Sequence, residues 1–186
     1  MLPPIILASQ SPRRRELLAT AGIPFSVRIK GVPEIRAADE LPRAYVRRLA
    51  REKAAAVAEA GEVVLGADTV VVLGDALLEK PRDEAEARSM LALLSGREHT
   101  VITGICVLHP AGVIVEDEST RVCFARLTLE EIETYVASGE PMDKAGAYAI
   151  QGLASKFVER IEGCYFNVMG LPLSRVYRIL KTLTTQ

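Results

Sequence analysis

The chain has almost no net charge: 23 Lys and Arg against 24 Asp and Glu leave −1 at pH 7. With a pI of about 6.2, that balance argues against bulk electrostatic binding of nucleic acid. Basic residues therefore matter only where they cluster. Two histidines, His99 and His109, are too few for a histidine-rich metal centre. Cys106, Cys123 and Cys164 lack the paired spacing of a metal site, so reduced and mostly buried thiols are expected. No apolar run approaches the length of a membrane span, and the first residues lack a charged region followed by a long apolar stretch. Those absences point to a cytoplasmic chain without membrane contact. There is no internal repeat and no low-complexity tract. One domain over residues 1–186 is the default, long enough to bury a sizeable core.

What is present begins with IILASQSPRRRELLATAG. Ile5, Ile6 and Leu7 form a short apolar run that predicts a buried strand. Ser9, Gln10 and Ser11 make a polar turn. Ser11 suits a helix N-cap and Pro12 the first helical position, where a missing N–H costs nothing. Leu17, Leu18 and Ala21 give the helix an apolar face, and Gly22 is placed to end it. Arg13, Arg14 and Arg15 fall in the first turn, where the helix dipole disfavours cations. Either an anion held by the free N–H groups compensates them, or they form a solvated basic turn.

Further on, 25–29 alternates weakly as a second strand, and 30–40 is a polar loop broken by Pro and Gly. A long helix is predicted over 41–60, closed by Gly61. GADTVVVLGD carries an apolar strand, Gly74-Asp75 signals a hairpin, and 76–78 returns as its partner. Residues 83–94 read as a helix with an Asp83 and Glu86 capping pattern. Strands over 100–108 and 113–124 follow, then a helix capped by Thr128 and Glu131. A charged, glycine-rich loop (GEPMDKAGAYAIQG), a strand over 157–161 and a last helix opened by Pro172 complete the chain. The hairpins exclude a purely parallel sheet. An α/β fold with a mixed sheet and helices packed outside is predicted.

Three stretches concentrate polar chemistry. In GADTVVV, Asp68 stands at the junction of two apolar runs, a placement expected at the edge of a buried sheet, and a carboxylate there needs a partner. It could bind a divalent metal, accept a proton from water, or simply cap a strand connection. Lys80, just before Pro81, could reach over the sheet edge as a point charge for phosphate. Lys53 follows Arg47, Arg48 and Arg51 on a helical face where most charges are solvated. Glu34, alone in its loop, could join Asp68 on a metal. In the third stretch, Gly146 and Gly152 permit close backbone approach. Gln151 there offers both a donor and an acceptor to a base or a sugar. Tyr148 and Tyr165 read as core or surface aromatics.

ASQSPRRRELL, LAREKA, GADTVV, LEKPRDEAEA, LSGREHTVITG and EPMDKAGAYAIQG through VMGLPL, in this order, resemble the Maf family of nucleoside triphosphate pyrophosphatases. They cover nearly the whole chain. The resemblance implies an elongated mixed β-sheet flanked by helices with a deep central cleft, inosine triphosphatase-like. It also implies a Mg²⁺- or Mn²⁺-dependent cut between the α- and β-phosphates. Carried over by motif, Ser9, Arg13 and Arg14 fall at the nucleotide, Asp68 at the proton acceptor, and Lys53 and Lys80 at the triphosphate. Thr69, Arg13 and Gln151 fall at the positions that set base preference, and Glu34 with Asp68 at the metal. DKAGAY…IQG is similar to the branch acting on dTTP and UTP. Gln10, Ala149 and Cys164 depart from the usual residues without removing a catalytic group. Two alternatives stay open: a non-catalytic nucleotide sensor in cell-division arrest, and a pyrophosphatase for another base such as 7-methyl-GTP. The resemblance leaves the oligomeric state open, a homodimer included.

Overall fold

In the computed structural model, which describes residues 2–184, seven strands form one mixed sheet. The elements in chain order are β1 (Ile5–Ala8), α1 (Pro12–Thr20), β2 (Phe25–Val27), α2 (Pro42–Val57), β3 (Val64–Leu73), β4 (Ala76–Leu78) and α3 (Glu84–Leu94). They continue with β5 (Glu98–His109), β6 (Gly112–Phe124), α4 (Leu129–Ala137), β7 (Val158–Glu162), α5 (Tyr165–Val168) and α6 (Leu173–Thr182). The strand order is β2-β1-β3-β5-β6-β7, with β4 paired to β3. β1 is parallel to both β2 and β3, whereas β3/β4 and β6/β7 are antiparallel. The mixed α/β sheet with flanking helices is the one expected.

The backbone gathers into two compact units. The first holds the chain up to Thr69, residues 103–118 and the stretch from Gly170 on; the second holds 70–102 and 119–169. In the first unit, α2 lies directly on the sheet. Two glycines make this possible: a Cβ on Gly66 of β3 would lie 2.1 Å from the Ala50 carbonyl oxygen, and one on Gly104 of β5 would lie 2.3 Å from that of Val46. Nothing larger than hydrogen fits there. Ala8, Ala50, Ala54, Val57, Val64 and Cys106 close the contact as a buried cluster of small side chains. In the second unit α3 and α4 pack together, and Arg88 of α3 bonds Glu133 of α4 at 2.7 Å.

Local signals place most boundaries. Ser11 Oγ accepts from the Arg14 N–H at 3.4 Å with Pro12 opening α1. Asp83 accepts from the Glu86 N–H at 2.8 Å, and Thr128 with Glu131 completes a reciprocal capping box. Gly74-Asp75 turns β3 into β4, with Leu73 opposite Ala76 and Gly74 at φ 57°.

Four expectations need correction. The helix predicted over 41–60 ends at Val57, because Ala58 turns extended and Arg28 donates to the Val57 carbonyl at 2.8 Å. That long-range cap replaces the one expected from Gly61. Asp68 lies inside β3, five residues before its end, and so neither at a strand junction nor at an edge. The stretch read as one loop contains 3₁₀ turns at Glu140–Asp143 and Ala145–Ala147, and a third follows at Leu153–Phe157. Of the thiols only Cys106 is buried; Cys123 and Cys164 are half-buried.

Candidate active site

Side chains alternate along a strand, so Gly66 and Asp68 of β3 point to the same face. That face receives α2. The approach allowed by Gly66 brings Lys53 over the next position on the face, and its Nζ donates to Asp68 Oδ1 at 2.6 Å. The same ammonium lies 2.8 Å from Glu34 Oε1. Glu34 arrives from the loop before α2, which is pinned to that helix: Tyr45 Oη donates to the Glu34 carbonyl at 3.2 Å and Arg48 to the Ile35 carbonyl at 2.9 Å. The Asp68 side chain is 10 % exposed and that of Glu34 is 49 % exposed. A buried carboxylate thus has its charge compensated by one ammonium, and a more open carboxylate shares that partner. Two carboxylates converging on one point can also hold a small divalent cation. Among the described residues no cluster of three or more His, Cys, Asp or Glu forms a cage made of protein alone. Mg²⁺ is commonly bound by one or two carboxylates with phosphate oxygens and water completing its shell, so this donor set fits it.

Arg14 is the other anchor of the first unit. It is 8 % exposed, although it belongs to an arginine triplet at a helix start. Its Nε donates to the Gly170 carbonyl at 2.7 Å, its Nη1 to Ser9 Oγ at 3.0 Å and to the Ala67 carbonyl at 2.9 Å, and its Nη2 to Thr69 Oγ1 at 3.0 Å. Four of its five donors are thereby met by protein. Burial pulls its pKa from the usual 12.5 down to about 10, while the charges of Asp68 and Glu34 act in the opposite direction. It remains a cation at neutral pH. Where the sequence left an anion or a solvated turn open for these arginines, Arg14 is met by carbonyl and hydroxyl oxygens of the protein. Ala67 and Thr69 flank Asp68, so the arginine braces the strand on both sides of the carboxylate. Thr69 Oγ1 also lies 2.9 Å from Thr103 Oγ1 on β5. Arg13, one residue earlier, is half-buried.

Lys80 and Gln151 belong to the second unit, and both are exposed. Lys80 lies two residues past β4. The residue before it, Glu79, accepts the Gly146 N–H at 3.0 Å, which ties the end of β4 to the stretch that leads into Gln151. Gly146 sits at φ 68°, and a Cβ there would meet Val71 Cγ2 at 2.8 Å. Ahead of Gln151, Tyr148 is buried and its Oη pairs with His99 Nε2 at 2.8 Å, as a core aromatic.

The structure thus joins Glu34, Lys53 and Asp68 in one cluster, and Ser9, Arg14 and Thr69 in another around the same strand. Thr103, the Gly170 carbonyl, Tyr135 and Glu140 escape the sequence reading. Thr103, Glu140 and Gly170 stood inside motifs quoted from the sequence, without a partner to give them meaning, and Tyr135 stood outside all of them.

This fold is a known one. It is similar to a HAM1 protein from Coxiella burnetii, with a TM-score of 0.51 over 97 % of this chain and 100 % of that one. At 14 % identity the likeness is one of fold alone. The chain matches the Maf-like protein family over residues 4–183 and belongs to it. It is 54 % identical over 179 residues to the dTTP/UTP pyrophosphatase of Koribacter versatilis, spanning 95 % of this chain and 93 % of that protein. It is 52 % identical over 185 residues to the dTTP/UTP pyrophosphatase of Anaeromyxobacter dehalogenans, spanning 97 % and 94 %. No helix among the described residues is long and apolar enough to cross a membrane.

Proposed function

We propose that this chain is a nucleoside triphosphate pyrophosphatase that hydrolyses dTTP and UTP to the monophosphate and pyrophosphate in the cytoplasm. Membership of the Maf-like family and relatives of that name at 54 % and 52 % identity support the reading. The observation that carries it is the Asp68–Lys53–Glu34 cluster, a buried carboxylate beside a cation with a second carboxylate open to solvent.

In this reading a water attacks the α-phosphorus and Asp68 takes its proton. The bond from that phosphorus to the α–β bridging oxygen breaks, and the oxygen leaves with pyrophosphate. Lys53, held between Asp68 and Glu34, and the exposed Lys80 offer charge to the triphosphate. Ser9 and Arg13 contact the nucleotide, and Arg14 acts at one remove by holding Ser9 and Thr69. Arg13, Thr69 and Gln151 set the base preference. Glu34 and Asp68 would hold Mg²⁺ or Mn²⁺, which supplies positive charge to the departing pyrophosphate.

The test is a panel of dTTP, UTP, CTP, GTP, ATP and 7-methyl-GTP with Mg²⁺ or Mn²⁺, scored for pyrophosphate release. dTTP and UTP are expected to lead. Binding of nucleotide without pyrophosphate from any of them would favour the sensor.

A further inference from the structure

Gln151 is exposed, yet the chain on both sides of it is tied to a single pair of side chains. Tyr135, in the last turn of α4, donates from Oη to Glu140 Oε1 at 2.9 Å and accepts the Ala149 N–H at 3.2 Å. The other carboxylate oxygen, Glu140 Oε2, accepts the Leu153 N–H at 3.1 Å. Ala149 and Leu153 lie two residues before and two residues after Gln151. Gly152 leaves room for this: a Cβ there would lie 2.3 Å from Glu140 Oε2. A core tyrosine needs one partner for its hydroxyl. This one has two, and they connect to opposite stems of the same short loop. Burial, then the hydrogen bond to Glu140, push the Tyr135 phenol well above its usual pKa, so it stays a donor throughout the working pH range.

We propose that Tyr135 and Glu140 are positioning residues for base selection: the Tyr135–Glu140 pair latches the stems of the Gln151 loop at Ala149 and Leu153 and so fixes where the Gln151 amide is presented. This rests on the reading that Gln151 faces the base. An amide can distinguish bases only if its donor and acceptor are held in place, since discrimination comes from leaving a polar group unpaired with the wrong base. Loosening the stems lets the amide turn to suit either edge.

The experiment compares kcat/KM for UTP and CTP, which differ in the base alone, in wild type, Tyr135→Phe and Glu140→Gln. Tyr135→Phe removes both contacts of the hydroxyl, and the UTP-over-CTP ratio is expected to fall about tenfold. Glu140→Gln keeps one acceptor and should fall less. A partly unfolded preparation lowers both substrates equally and leaves the ratio untouched, so the ratio separates positioning from mere stability. Gly152→Ala, which displaces the Glu140 carboxylate from the loop side, should reproduce the loss. In wild type the Ala149 and Leu153 amides should exchange with solvent deuterium at least tenfold more slowly than the Gln151 amide. An unchanged ratio in folded Tyr135→Phe and Glu140→Gln, or unprotected amides in wild type, overturns the latch. A wild type with no preference for UTP over CTP overturns the base reading itself, and that outcome is seen before any substitution is made.

Discussion

Lys53 Nζ stands 2.6 Å from Asp68 Oδ1, a pair that joins the C-terminal half of α2 to the middle of β3. Neither residue is close to the other in sequence. The contact exists because α2 rests on glycine, and it places a cation against a carboxylate that is set inside β3. If Asp68 takes the proton of the attacking water, Asp68→Asn keeps the size of the side chain but removes the base. The loss in kcat should be about a hundredfold or more. Calorimetry on the same preparation should still detect nucleotide, since Arg13, Lys53 and Lys80 are untouched. Near-normal turnover would remove Asp68 from the role.

Two carboxylates, with no third His, Cys, Asp or Glu clustered with them among the described residues, call for a cation that brings the rest of its shell from phosphate and water. EDTA should abolish pyrophosphate release, and Mg²⁺ or Mn²⁺ should restore it. Glu34→Gln should raise the metal concentration needed for half-maximal rate while the folded protein keeps its thermal stability, because Glu34 is half exposed. Full activity in chelated buffer would show that no metal takes part.

The seat of α2 on β3 can be tested from the strand side. In Gly66→Ala the new methyl meets backbone atoms of Ala50 and Ala54, which cannot move without moving the helix. The substitution should cost about 2 kcal/mol in urea unfolding. It should also lower kcat by about tenfold or more through displacement of Lys53. Gly31→Ala, where nothing lies within 4 Å, is the control and should match wild type.

His99 is 2 % exposed, and burial lowers its pKa from 6.5 to about 4. The unfolded chain therefore binds a proton between those values that the folded chain refuses. The stability that comes from this group is complete above about pH 6.5 and is lost as the pH falls towards 4, by on the order of 3 kcal/mol. Urea midpoints measured at pH 7 and pH 4.5 should show the loss. In His99→Gln that part of the slope should disappear, at the expense of a lower midpoint at pH 7. An identical slope in the two proteins would assign the acid sensitivity elsewhere.

Much of the molecule was legible from short-range chemistry. The Ser11 cap with Pro12, the Asp83 cap, the Thr128–Glu131 box and the Gly74-Asp75 turn each involve atoms within a few residues, so their pattern is written in adjacent letters. The order of the motifs likewise pointed to the Maf-like family. Tertiary structure alone decided the rest. α2 ends at Val57 because Arg28, 29 residues away, takes its carbonyl. Arg14 turns inward, unlike a solvated arginine, because the carbonyls of Ala67 and Gly170, 53 and 156 residues away, wait there to receive it. Asp68 sits inside a strand rather than at an edge because Lys53 is brought to it over Gly66. A buried charge is tolerable only where partners converge on it. Convergence is a property of the folded chain, and no window of sequence contains it.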